Sequence, residues 1–294
     1  MRIRYTEMRG AKRVVACVAV AVLVVSTGCI GGGEADVGAK ITPDVEPADT
    51  EATGDDILTS ALDTAEGADT YRVESETRMD LASFFGISMN MNTTGEFDEE
   101  DNVSHTQSEG GSGAELLGMS GGEAFETEVY RTGDARYTVR TNGTDETGEV
   151  NRTAPGEPLS PGADYLVDTV EGADATVEGV GEVGGEEAYV LSLDLGVGSL
   201  GSAFSRAIED NGPARFGDGE QGGDPSEGSV NTSEAYLWVD RETSRPLRFA
   251  YLLNLRFEGD GEDEVSGSME IFGDTRYTGY GEGIEVGIPE RFGR

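Results

Sequence analysis

From Thr70 onward, apolar side chains recur at every second position, and that period restricts the chain to sheet. Tyr71, Val73, Ser75, Thr77 and Met79 fall on one face of an extended segment; Arg72, Glu74, Glu76, Arg78 and Asp80 fall on the other. A period of two marks a strand buried on one side. The pattern returns at Ile87–Met91, at Phe125–Val129 and at Ala135–Val139. It returns again at Tyr189–Leu195 and at Phe249–Phe257. Thr132-Gly133-Asp134, Asn142-Gly143, Gly184-Gly185 and Asp240–Pro246 separate these runs. Those residues are turn formers, so antiparallel hairpins are the natural links. About ten strands are expected, including Val265–Phe272 and a closing one within residues 277–289. The predicted class is α+β, mainly β: one large twisted antiparallel half-barrel sheet, its concave face covered by two or three helices. Asp55–Ala65 has helical spacing in Ile57, Leu58, Ala61, Leu62 and Ala65, behind a Thr53/Asp56 capping box. Pro161–Val170 and Leu200–Ile208 are the other helix candidates.

The first 28 residues have a different logic. Arg2, Arg4, Arg9, Lys12 and Arg13 precede an apolar run from Val14 to Val25, which small residues follow. That order is an export signal, and the run is too short to span a bilayer comfortably. The Ser26-Thr27-Gly28-Cys29 end resembles the lipobox of prokaryotic lipoproteins. The resemblance implies cleavage before Cys29, lipid on its thiol, and a membrane anchor of two chains, enough for stable attachment. An ordinary signal peptide or a short anchor containing a cysteine is the competing reading. Lys12-Arg13 stands where a twin-arginine signal would have Arg-Arg, so the export route stays open. Residues 29–54, rich in Gly, Pro and acids, read as a flexible acidic linker, and 55–294 as the folded domain. Within that domain residues 211–230 read as a loop or disordered insertion.

The whole chain of 294 residues carries a formal charge of −37. Loss of residues 1–28 leaves 16 basic and 57 acidic residues, a charge of −41, and Lys40 as the single lysine. Strong acidity with almost no lysine resembles the proteins of salt-loving archaea. The physics agrees, because the screening length falls to about 3 Å at molar salt. Such charge excludes nucleic acid as a partner, since phosphate contacts need basic clusters.

Little in the sequence speaks for catalysis. Cys17 leaves with the signal and Cys29 is used by lipid, so no thiol remains for a disulfide, a nucleophile or a metal. His105 is the lone histidine, in an alternating stretch that favours a plain strand position. No G-x-S-x-G pattern stands on a strand–helix turn, as a nucleophile elbow would need. The run Glu258–Glu264 lacks the order of a calcium loop and reads as solvated surface. No enzyme activity, cofactor or metal is expected. Asn92, Asn102, Asn142, Asn151 and Asn231 begin glycosylation sequons. Phe84, Phe85, Met89, Met91, Leu116, Leu117 and Met119 form the softest apolar set and, with Trp238, are the candidate ligand-binding residues. Methionine-rich surfaces adapt to variable apolar ligands, although ordinary core packing uses the same residues.

Three segments resemble the LolA-like carrier superfamily, which includes the LppX- and LprG-type lipoproteins. They are the early helix with Thr70-Tyr71-Arg72-Val73; Val177-Glu178-Gly179 with Gly185–Leu191; and Leu237–Thr243 with Pro246-Leu247-Arg248. The ending Tyr280–Val286 with Pro289 is similar to the last strand of LppX-type chains. The resemblance implies a half-open barrel plugged by helices, with a cavity for acyl chains. The expected protein is an acidic, halophilic lipoprotein, monomeric, anchored on the outer side of the cell membrane and binding a lipid or other hydrophobic ligand. The alternative is a cell-surface structural or interaction lipoprotein with a filled core. The charge alone predicts that the thermal midpoint of the mature chain rises steeply between about 0.1 M salt and molar salt. Circular dichroism melts across that range check this, and a flat profile would contradict it.

Overall fold

A computed structural model describes residues 41–80, 88–112, 125–133, 135–142, 145–152, 161–195, 229–257, 267–284 and 286. The export segment with Cys29, the linker through residue 40, Phe84, Phe85, Leu116, Leu117, Met119, the helix candidate Leu200–Ile208 and residues 211–228 lie outside the described residues.

The described chain forms two helices and one sheet. Helix α1 is Gly54–Glu66 and α2 is Ala163–Val170. The strands are β1 (Thr70–Asp80), β2 (Ser88–Asp98), β3 (Val103–Ser112), β4 (Phe125–Thr132), β5 (Ala135–Asn142) and β6 (Asp145–Arg152). After α2 come β7 (Asp174–Val183), β8 (Glu186–Asp194), β9 (Ser229–Asp240), β10 (Pro246–Phe257) and β11 (Gly267–Thr278). All eleven lie in one sheet, in the order β6-β5-β4-β3-β2-β1-β11-β10-β9-β8-β7, and every pairing is antiparallel. The chain lays strands outward from β1 to the β6 edge. It then restarts at the far edge with β7 and works inward until β11 pairs with β1.

Most elements sit where the period placed them. The capping box of α1 is formed: Asp56 N–H donates to Thr53 Oγ1, and Thr53 N–H donates to the Asp56 carboxylate, both at 3.2 Å. Gly184 and Gly185 both have positive φ, as a tight hairpin between β7 and β8 needs. Three readings need correction. Strand β6, with a single Val among polar residues, shows too little alternation to be seen and raises the count to eleven. Strand β9 starts at Ser229, inside the expected insertion and ahead of the expected Ala235. The expected closing strand at 277–289 is absent from its described part. Strand β11 ends at Thr278, and Gly279 and Gly281 follow with left-handed φ, which turns the chain away.

One face of the sheet carries the main core. Tyr71, Val73, Phe97, Val129, Leu191, Leu237, Phe249, Leu253 and Ile271 form one buried cluster with Ile57, Leu58, Ala61 and Ala65 of α1 and Leu166, Val167 and Val170 of α2. Tyr71 and Phe97 stack at 4.8 Å. A second, smaller cluster of Ala188, Val190, Trp238, Leu247 and Ala250 occupies the opposite face, with Val45 packed against it. Strand β10 is therefore buried on both faces around Phe249–Leu253.

The described structure begins ahead of the expected boundary at 55. Ile41 is buried, and Glu46 exchanges both backbone hydrogen bonds with Val180 of edge strand β7 at 2.8 Å. Farther along the same edge, the Asp55 carboxylate accepts from Ala175 N–H at 2.9 Å. An open strand edge is a template for unwanted pairing, and residues 46–55 occupy this one in part. The fit is close: a β-carbon on Gly54 would fall onto the Ala175 carbonyl. Gly54→Ala is therefore expected to cost about 1–3 kcal/mol. Gly111→Ala, whose added carbon meets open space, should stay within about 0.5 kcal/mol. Denaturant titration in molar salt measures both; equal costs would refute the tight docking.

Candidate functional site

Register places the core face of the N-terminal arm residue by residue. Val129 belongs to the main cluster, so its partners Thr106 and Thr138, and its i±2 neighbours Thr127 and Arg131, share that face. Along β3 the core face reads Ser104, Thr106, Ser108, Gly110. No residue there is larger than threonine, yet their exposures are 0%, 1% and 0% for Ser104, Thr106 and Ser108. We term this row of small, buried side chains the β3 trough. From Ser104 to Gly110 it runs about 20 Å at the usual strand rise. Met91 pairs with Gly110 and Met89 with Ser112 at one end. Phe97 pairs with Ser104 at the other.

The hydroxyls of the floor are treated unequally. Ser108 and Thr93 hydrogen-bond each other at 2.8 Å, which removes their need for water. Ser104 Oγ and Thr127 Oγ1 are buried without a partner. Beside Ser104 lies a polar network. Arg131 Nη2 donates to Glu99 at 2.7 Å, Tyr71 Oη donates to the same carboxylate at 3.1 Å, and Ala163 N–H donates to Tyr71 Oη at 2.9 Å. That last bond satisfies an amide at the start of α2, whose N-cap is a glycine with no side chain to do so. Burial, and then the Glu99 charge, push the Tyr71 phenol well above its ordinary range, so it stays a donor.

Of the sequence candidates, Met89 and Met91 reach the trough; Met91 is buried and Met89 is partly buried against the main cluster. Trp238 does not join them. It lies in the second cluster on the opposite face, with the Arg248 guanidinium 4.5 Å above its ring, because Leu237 and Val239 take the core side of β9. Asn92 is exposed. Asn102 is exposed in the β2–β3 turn with φ 52°, and its amide donates to the Gly133 carbonyl at 3.1 Å. Asn142, Asn151 and Asn231 stand in β5, β6 and β9, their side chains outside the described set. His105 stacks on Tyr130 at 4.3 Å, away from the trough, and burial lowers its pKa against the pull of Glu128 and Glu96. The sequence reading missed the floor of β3 and the Glu99 network. The signal for the floor was a strand whose inward positions are Ser, Thr, Ser and Gly.

An open cleft of 980 Å³ lies where the β7–β8 and β9–β10 turns meet the end of β11. It is not an apolar pocket. Arg241 covers the Tyr189 ring at 5.2 Å and Arg245 covers Tyr280 at 5.3 Å, with Glu186, Glu187 and Glu242 around them. Among the described residues, no group of three or more His, Cys, Asp or Glu could hold a metal ion. No described helix is long and apolar enough to cross a membrane.

No family model and no curated protein matches the chain. Solved structures similar to it include lipoprotein LppX of Mycobacterium tuberculosis, 12% identical with a TM-score of 0.38, covering 79% of this chain and 96% of that one. A LolA superfamily protein from Nitrosomonas europaea is 10% identical, with a TM-score of 0.26, over 82% of this chain and 96% of that one. A DUF1329 family protein from Desulfovibrio piger is 13% identical, with a TM-score of 0.24, over 79% and 95%.

Proposed function

We propose that the chain is a lipoprotein, anchored by lipid on Cys29 to the outer side of the cell membrane, that binds a lipid or similar apolar molecule along β3. The observation that carries the reading is the buried floor of Ser104, Thr106, Ser108 and Gly110. Small side chains leave volume above a sheet, and a hydrocarbon chain is a natural filler for a long, narrow, water-excluded space. Met79, Met89 and Met91 border the far end, and thioethers repack around chains of different length. The sequons, if used, belong on an exported surface. The anchor and the linker would hold the domain at the source of its ligand.

One observation favours a second reading, a surface protein with a filled core. The half of the core face across β8–β11 is packed already, with Leu191, Leu237 and Leu253 buried in the cluster that includes α1 and α2. If the β3 half were packed as well, no ligand would enter.

Two expected outcomes separate these readings. The mature domain, purified in molar salt from its native membrane, should carry copurifying lipid by native mass spectrometry. Thr106→Phe should expel that lipid while leaving the thermal midpoint nearly unchanged. A wild type free of lipid, with Thr106→Phe losing about 1–3 kcal/mol to overpacking, would establish the filled core. Cys29→Ser should release the protein into the medium; a variant still bound to cells would end the anchor proposal.

A further inference from the structure

We infer that the Ser104 end of the trough is a site for an oxyanion, a phosphate or sulfate group, carried by the amphiphile whose chain lies along β3. The inference rests on the trough reading and adds the polarity of the ligand and the end at which its headgroup sits.

Ser104 and Arg131 are direct partners across β3 and β4. Both are buried, at 0% and 5% exposure, and both hold an unpartnered polar atom, Ser104 Oγ and Arg131 Nε. Adjacent orphans in a dry site are costly, and native proteins rarely keep two together without use. Their chemistry indicates the missing partner. A guanidinium Nε–H can only donate, and a serine hydroxyl can donate as well, so one group that accepts from both would complete them. Phosphate and sulfate oxygens do so, and arginine is the residue best shaped to receive them.

The surrounding charge agrees. Arg136 of β5 stands directly opposite Arg131, on the same face, and keeps its own contacts. Like charges in register across a strand pair oppose each other. Glu99 answers Arg131 through Nη2, but it also takes the Tyr71 hydroxyl, and its side chain is 26% exposed toward solvent. Three arginines, counting Arg140 opposite Thr127, are gathered on the core face of β4 and β5. The mature chain has 16 basic residues against 57 acidic ones, so this concentration stands against the general charge. The amino end of α2 adds a partial positive charge at the same place, as the Ala163–Tyr71–Glu99 relay shows. The other end of the trough offers methionines. A ligand with an anionic head and an apolar tail therefore has one orientation here.

The source of the oxyanion can be a lipid headgroup or free phosphate, and the test separates them. The mature chain in molar sodium chloride is titrated calorimetrically with dihexanoyl phosphatidic acid, with dihexanoylglycerol and with inorganic phosphate. The proposal expects phosphatidic acid to bind about tenfold or more tightly than the neutral lipid. Ser104→Ala should bring the two within about threefold, chiefly by weakening phosphatidic acid. Arg131→Lys, which keeps a cation for Glu99 but removes the Nε–H, should act the same way. Circular dichroism confirms that both variants fold. Equal binding of the two lipids by the wild type, or a preference that survives both substitutions, overturns the headgroup site and leaves the trough standing. Inorganic phosphate binding that Ser104→Ala weakens, with neither lipid bound, supports the oxyanion site for a free anion and sinks the trough. Binding of none of the three overturns both.

Discussion

The pairing of β1 with β11 is the constraint on which the rest of the structure depends. It joins Arg72 to Thr278 and Asp80 to Glu270, residues some two hundred positions apart in the chain. Without it the molecule is two meanders, β1–β6 and β7–β11, each with a greasy edge row and neither with a complete core. With it, Val73, Tyr277, Phe249, Leu237 and Leu191 become neighbours on one surface. Such a contact closes a very long loop, so its entropy cost must be met by local hairpins that are already formed. The paired glycines at 184 and 185 and the Asp240 turn are those local devices. In the turn, the Asp240 carboxylate accepts from Thr243 N–H and Oγ1–H, both at 2.6 Å, and from Glu242 N–H at 3.1 Å.

The two arms meeting at that seam have different cores. The C-terminal arm is filled with leucine, phenylalanine and tyrosine, and α1 lies over β7, β9 and β10. The N-terminal arm replaces these by Ser, Thr and Gly across β2, β3 and β4, then by arginine on β4 and β5. A sheet whose only task was stability would continue the leucines. This change of character within one continuous face is the basis of the functional reading. The acidic outer surface follows a separate rule. Where arginine appears on it, a carboxylate or an aromatic ring usually accompanies it, as Arg72 with Glu96 and Glu282 or Arg248 with Asp274 and Trp238.

Much of the fold was legible because one period says so much. Alternation in Tyr71–Met79 and Phe249–Leu253, the capping box at Thr53 and Asp56, and the double glycine at 184 and 185 all took the form their residues dictate. What could not be read was anything needing a second element to interpret it. Strand β6 exists because β5 offers an edge, although its own sequence barely alternates. Residues 41–53 look like linker by composition, yet Val45 and Glu46 find an apolar cluster and an open strand edge to dock on. Trp238 has the same sequence pattern on either face of β9, and only the pairing with β8 and β10 decides which side is core.

The sequence by itself determined most of the antiparallel strands, their turns, the first helix and the acid excess. Each of these follows from residues within a few positions of one another, where local sterics and periodicity act. Tertiary structure alone decided the strand order, the face to which Trp238 turned, and the meeting of Ser104 with Arg131 and Glu99. Those depend on registers between segments distant in the chain, where no local rule tells one hydroxyl that an arginine waits across the sheet.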